Sequence, residues 1–236
     1  MRVEELSSAE FAKFVRKNPV VFLPLGATEA HGIHLPLGTD SYQPEALCEA
    51  LADCLDGLVM PMVRYGHHSS TRNMPGTMTL TYDTLRAMIA DILDSMERNG
   101  LRRVVVISGH AGSLHLAAVR DAAEEFVRRS SMKVMVLTDY DIAYKFPIPQ
   151  DKDWPDGHGG LIETSRILAL RPDLVKKERP RGKFLDKEYM VVADPETCMP
   201  EMMAGDTTRA SAELGNEINQ FILDRLVELI SKNMRG

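Results

Sequence analysis

The sequence predicts an α/β layer fold with a mostly parallel sheet covered by helices on both faces, and three observations lead there. Four short runs are apolar at nearly every position, helical patterns lie between them, and no repeat, low-complexity tract or Gly/Ser linker divides the chain. A strand with one wet face alternates apolar and polar residues. Uninterrupted apolar runs of strand length therefore belong to a sheet buried on both sides.

The first run, residues 20–26, reads as a buried strand stopped by Gly26. Pro44 opens a helix over residues 44–52, because a missing N–H does no harm in a first turn. Residues 58–63 form a second, weaker strand. Leu85, Met88, Ile89, Ile92, Leu93 and Met96 then repeat at helical spacing, with Gly100 where a C-terminal cap belongs. Residues 101–109 are the clearest strand, Ser113 is a candidate cap for a helix to about Arg128, and residues 133–137 follow as the fourth strand. The last helix, residues 210–233, puts Leu214, Ile218, Phe221, Ile222, Leu226, Leu229 and Ile230 on one stripe. Residues 147–206 are rich in Pro, Gly and Asp and read as long functional loops or an excursion from the sheet.

Composition sets the class. A chain of 236 residues, 44% apolar and 26% charged, suits one globular domain spanning residues 1–236. With 28 basic against 34 acidic residues the net charge is -6, which offers no footprint for a phosphate backbone and argues against a nucleic-acid partner. The apolar runs fall far short of the roughly 18 residues that span a bilayer, so no membrane association is expected. The N-terminus is acidic where a signal peptide would be apolar. Three cysteines (Cys48, Cys54, Cys198) are too few and too odd for a disulfide scaffold, and read as inert core residues of a cytoplasmic protein.

In open α/β sheets, ligands sit beyond the carboxyl ends of the strands. Glu29, His31, His34 and Asp40 follow the first strand, His67, His68 and Ser69 the second, and His110 the third. Trp154, Asp156, His158 and Glu163 lie in the late irregular region. All seven histidines fall between residues 31 and 158, and four of them (His31, His67, His110, His158) adjoin a glycine. Imidazole with carboxylate on strand-end loops is what a borderline divalent ion such as Zn²⁺ or Mn²⁺ binds. Glu29 and His31, two apart, point to one side of an extended segment. Each also has a bland reading: Glu29 and Asp40 as solvated loop charges, Asp40 as a helix cap, His31 or His110 as a hydrogen-bonded surface histidine. His67 and His68 are placed on the substrate side, and His115 on the outside of its helix. No G-x-S-x-G or C-x-x-C occurs, which disfavours an acyl-enzyme and a Cys-based metal site.

The segment from Pro24 to Asp40, Pro-Leu-Gly-Ala-Thr-Glu-Ala-His-Gly-Ile-His-Leu-Pro-Leu-Gly-Thr-Asp, resembles the signature of the creatininase (creatinine amidohydrolase) family. Pro75-Gly76-Thr77, Ser108-Gly109-His110-Ala111-Gly112, His158-Gly159-Gly160 with Glu163-Thr164-Ser165, and Gly205-Asp206 fit in order. The resemblance implies a three-layer α/β/α amidohydrolase using two divalent metal ions (Zn, Mn or Fe) on a small-molecule substrate, assembled as a homo-oligomer such as a hexamer. By position, Glu29, Asp40 and His110 would hold one ion and His31 with Asp40 the other. His158 would transfer a proton, Trp154 would be a substrate-pocket aromatic, and Asp156, His67 and Ser69 stand on the substrate side. The family has Tyr and a metal-binding Glu directly after its post-strand His, where this chain has Ala111 and Gly112. Glu163 is the nearest replacement carboxylate, as ligand and catalytic group, although a carboxylate there also suits a helix N-terminus.

The expected reaction is hydrolysis of a C–N bond in a small cyclic amide or formamide. Related branches act on formamide-bearing purine or pyrimidine precursors, on peptides of a redox-cofactor pathway as peptidases, or on cyclic ketones. Two rivals are a non-catalytic metal-bound scaffold and a nucleotide-binding module in which residues 109–112 cradle a phosphate. The latter lacks both G-x-G-x-x-G after the first strand and a P-loop.

Overall fold

The computed structural model describes residues 1–148 and 151–234. Strand β1 (Val21–Leu25) is buried along its whole length, with β2 (Leu58–Val59) on one side and β3 (Arg103–Ser108) on the other. Strand β4 (Lys133–Thr138) completes a parallel sheet of order β2-β1-β3-β4, in which Val21 pairs with Val104 and Val104 with Val134. The second strand is shorter than its apolar run. Pro24 and Pro61 each lack an N–H, so the β1–β2 ladder stops after two residue pairs.

Alternate residues of each strand reach opposite faces, which makes three layers. Phe22, Val105 and Ile107 pack with α2 (Thr39–Leu55) and α7 (Ala212–Asn233). Val21, Leu23, Val104 and Val106 pack with α3 (Tyr82–Arg98) and α4 (Ser113–Val127). Helix α3 is capped by the Thr81 hydroxyl, and Gly100 follows it at φ +86°. Ser113 is the first residue of α4 rather than its cap; Gly112 holds that place without a side-chain bond. On α7 the buried stripe is Ile218, Ile222, Leu226 and Ile230, while Leu229 is exposed. Cys48 and Cys198 are buried, but Cys54 is exposed. Among the described residues, no helix is long and apolar enough to cross a membrane.

Four helices depart from expectation. Short α1 (Ser8–Val15) is set by a capping box of Ser7 and Glu10. Helix α2 starts five residues before Pro44, which lies inside it. Pro44 cannot bond the Asp40 carbonyl, and that oxygen packs against Gly26 and Gly109 at the ends of β1 and β3, where a Cβ would collide with it. The first turn of α2 thus settles onto the strand ends. After a short α5 (Tyr140–Ala143), the irregular region contains α6 (Leu161–Leu170), buried at every position from Leu161 to Ile167. A two-stranded ribbon of β5 (Arg181–Gly182) and β6 (Gly205–Asp206) follows.

Helix α6 is tied beneath the sheet edge by a buried ion pair. The Arg166 guanidinium donates to Asp139 Oδ2 at 2.6 Å and to Asn219 at 2.8 Å, and neither charged residue is more than 1% exposed. Arg166→Leu strands a buried carboxylate, so denaturant unfolding is expected to show a loss of about 3 kcal/mol. Adding Asp139→Leu should recover most of it.

Candidate metal centre

The carboxyl ends of β1 and β3 open into a cavity of about 460 Å³, whose lining includes Glu29, Asp40, His110, His158 and Glu163. Glu29 and His31 lie on the loop after β1. That loop is pinned where Glu29 N–H meets the Leu37 carbonyl at 2.9 Å and Ala30 N–H meets the Thr77 hydroxyl at 3.1 Å. The Pro75-Gly76-Thr77 turn thereby braces the first candidate ligands. Asp40 sits in the first turn of α2, His110 just beyond β3, and Glu163 in the first turn of α6.

Backbone carbonyls fix which nitrogen of each ring is free, since a carbonyl can only accept. His31 Nδ1 donates to the Glu29 carbonyl at 3.0 Å, leaving Nε2 to face Asp40 Oδ1 at 3.0 Å and Glu163 Oε2 at 3.4 Å. His110 Nε2 donates to the His67 carbonyl at 3.0 Å, leaving Nδ1 at 2.9 Å from Glu29 Oε2 and 3.1 Å from Asp40 Oδ2. Asp40 therefore offers one oxygen to each imidazole. Glu29 Oε1 accepts the Thr71 hydroxyl, and Glu163 Oε2 accepts Gly159 N–H at 2.7 Å. An imidazole anchored through one nitrogen with its other lone pair aimed at carboxylates has the form of a metal ligand.

The donor set fits divalent ions. Glu29 Oε2, His31 Nε2 and Asp40 Oδ2 are buried without a hydrogen bond, and the Glu29, Asp40 and Glu163 carboxylates cluster on residues no more than 6% exposed. Such groups need cations. Donor atoms lie within 4.8 Å of one another in the groups His31–Asp40–Glu163, Glu29–His68–His110 and Glu29–His31–His158.

The electrostatics agree. Burial alone lowers the His31 pKa, but the Asp40, Glu163 and Glu29 carboxylates outweigh it and raise it to about 10. Burial likewise opposes, and Glu29 and Asp40 overcome, a rise at His110 well above the usual imidazole range. Burial would raise Glu29, yet the facing His110, His158 and His31 hold it well below the carboxylate range. Glu163 is raised by burial, a shift only partly offset by His31 and His158. A divalent ion would take neutral imidazole and ionised carboxylate, so its binding would compete with protons at His31 and His110.

His158 lines the cavity, stacks on His31 with ring centroids 4.1 Å apart, and donates Nε2–H to the Ala30 carbonyl at 2.7 Å. Ser69 also lines it. Asp156 is at the wall, but its carboxylate accepts the amides of Leu161 and Ile162 and so caps α6; burial raises its pKa to about 6. Trp154 does not line this cavity. It borders a separate one of about 100 Å³, under the Lys183 ammonium at 4.5 Å. The His67 ring turns away to the Leu80 carbonyl at 2.9 Å, and His67 serves the centre through the carbonyl that holds His110.

His115 corrects the expectation of an outward-facing residue. It is fully buried, accepts the His67 amide at Nδ1 and donates from Nε2 to Ser108 Oγ at 3.1 Å. Ser108 in turn donates to the His110 carbonyl at 2.7 Å, so His115 braces the segment carrying His110. A Cβ at Gly112 would stand 2.6 Å from His110 Nε2, so the absent side chain also leaves that ring its place. Sequence reasoning gave no role to Thr71, whose hydroxyl orients Glu29, nor to Tyr140, which lines the cavity and donates to Gln43 Oε1 at 2.9 Å.

A family model described as creatinine amidohydrolase matches residues 4–230. A creatinine amidohydrolase from Pseudomonas putida is 32% identical over 97% of this chain and 95% of its own length. A mycofactocin precursor peptide peptidase from Mycolicibacterium smegmatis is 26% identical over 84% of this chain and 82% of its own. A solved structure described as manganese creatininase superposes with a TM-score of 0.88 at 29% identity, covering all of this chain and 99% of that one.

Proposed function

Because the chain belongs to the creatininase family of amidohydrolases, we propose that residues 1–236 form one metal-dependent hydrolase domain that cleaves a C–N bond of a small cyclic amide or formamide. The observation that carries this reading is the meeting of unpaired lone-pair atoms from Glu29, His31 and Asp40 at one end of the sheet. A cavity of about 460 Å³ suits a small molecule. Glu29, Asp40 and His110 would hold one ion, and His31, Asp40 and Glu163 the other, with Asp40 shared. Glu163 stands in for the carboxylate that Gly112 does not supply. Imidazole with carboxylate accepts Zn, Mn or Fe. Bound divalent ions lower the pKa of water from about 15.7 towards about 7 and polarise an amide carbonyl.

The chain's own residues do the rest. His158 has its Nε2–H tied to the Ala30 carbonyl, so Nδ1 is left to carry a proton to the leaving nitrogen. Asp156 holds α6, and with it Glu163, by capping the amides of Leu161 and Ile162. Ser69 and the wall at Asp156 are on the substrate side. Homo-oligomeric assembly and a cytoplasmic location belong to the same proposal; they rest on the resemblance and on the sparse cysteines.

The likeness to a peptidase favours one second reading, in which a short peptide presents the amide. A panel of creatinine, formamidopyrimidines, cyclic amides and short peptides, assayed with metal-replete protein, separates the two. Turnover of a cyclic amide or formamide that is lost on chelation is the expected result. Turnover of peptides alone would shift the assignment to the peptidase branch, and ion binding with no turnover would leave the scaffold reading.

A further inference from the structure

We propose that His68 is an additional ligand of the ion held by Glu29, Asp40 and His110, making that position an imidazole-rich one that prefers Zn²⁺ to Mn²⁺. The inference rests on the metal reading above and adds to it a residue that the strand-end pattern places on the substrate side.

His68 is 1% exposed, and neither of its ring nitrogens has a hydrogen bond. Its amide N–H donates to Thr79 Oγ1 at 3.0 Å, while the ring has no hydrogen-bond partner. A buried imidazole with both nitrogens unsatisfied is costly, and such a group in a folded protein calls for something that the protein binds. What the ring faces is the cluster of candidate ligands around Glu29 and His110. Its Nε2 is 3.9 Å from Glu29 Oε2, and the His68 and His110 rings lie 4.8 Å apart, tilted by 48°.

The spacing suits a shared ion. Ligands about 2.0–2.2 Å from one ion stand about 3–4 Å from each other. Glu29 Oε2 to His110 Nδ1 is 2.9 Å, His110 Nδ1 to Asp40 Oδ2 is 3.1 Å, and Glu29 Oε2 to His68 Nε2 is 3.9 Å. Nearby alternatives are used up: His67 donates to Leu80, and His115 is held between Ser108 and the His67 amide.

The two positions then differ in chemistry. Glu29, Asp40, His68 and His110 give two imidazoles and two carboxylates, whereas His31, Asp40 and Glu163 give one imidazole and two carboxylates. Imidazole favours Zn²⁺ over Mn²⁺, and carboxylate-rich sets suit Mn²⁺. A protein offered both metals should sort them, with Zn²⁺ beside His68.

Metal-stripped wild type, His68→Leu and His68→Asn are titrated with Co²⁺, followed by Zn²⁺/Mn²⁺ competition. Removing a partner outside the ligand shell costs about 10–100-fold in metal affinity, so loss of a ligand should weaken one of the two Co²⁺ sites at least tenfold. The visible ligand-field spectrum should change, and the preference for Zn²⁺ over Mn²⁺ at that position should fall. The melting midpoint of metal-free His68→Leu should equal or exceed wild type, because no hydrogen bond is lost. His68→Asn supplies the same readings if the leucine variant does not fold. Two Co²⁺ ions bound by wild type and variants with equal affinity and identical spectra would remove His68 from the site and leave the metal reading standing. Wild type that binds no Co²⁺ at all would overturn both.

Discussion

Asp40→Asn is expected to bind at most one ion and to lose on the order of 10³-fold or more in kcat/KM, about 4 kcal/mol of transition-state stabilisation. Its two oxygens face different imidazoles, Oδ1 at 3.0 Å from His31 Nε2 and Oδ2 at 3.1 Å from His110 Nδ1. No other carboxylate in the cluster reaches both rings so closely. Asparagine keeps the shape and one acceptor oxygen, but its NH₂ donates towards a ring lone pair that should be left for a cation. The side chain becomes a hydrogen-bonded spacer, and one position loses its ligand. The backbone should be unmoved, because α2 is seated through the Asp40 carbonyl against Gly26 and Gly109, which the substitution leaves intact. Ion content by elemental analysis, read beside the melting midpoint of metal-free protein, tests this. Full occupancy of both ions in Asp40→Asn would show that Asp40 is not shared.

The strands and amphipathic helices were legible because their burial pattern is periodic. The α3 residues Leu85, Ile89, Leu93 and Met96 form a stripe whose period is visible in the letters, and all four are buried. Helix α6 was not legible, since seven consecutive buried residues, including Glu163 and Arg166, carry no amphipathic period. Arg166 reads as a surface residue until Asp139, distant in sequence, supplies its partner. The centre divides along the same line. Glu29, His31, Asp40 and His110 stand next to strand ends, which a sequence displays. His68 and His115 depend on how the β2 and β3 loops fold against each other, and Trp154 and Asp156 depend on how the late loop turns. Gly160, directly before the helix that Asp156 caps, and Gly205 in β6 are the places where a side chain would crowd its carboxylate.

His158→Phe is the sharper probe of proton transfer. The His158 ring stacks on His31 at 4.1 Å, so an alanine would remove packing from a candidate ligand as well as a proton carrier. Phenylalanine keeps the stacking partner and removes both nitrogens. General acid–base catalysis contributes about 10²–10⁴-fold, and kcat should fall within that span while both ions stay bound and KM changes little. A second reading of the same geometry makes His158 a ligand, since it groups with Glu29 and His31. The two separate in ion content: a lost ligand lowers it, a lost proton donor does not. They separate again across substrates. An amide whose leaving nitrogen is weakly basic departs with less help, so its rate should fall less in His158→Phe than that of a strongly basic leaving group. Equal losses across such a series, with ions retained, would assign His158 to holding His31 in place rather than to moving a proton.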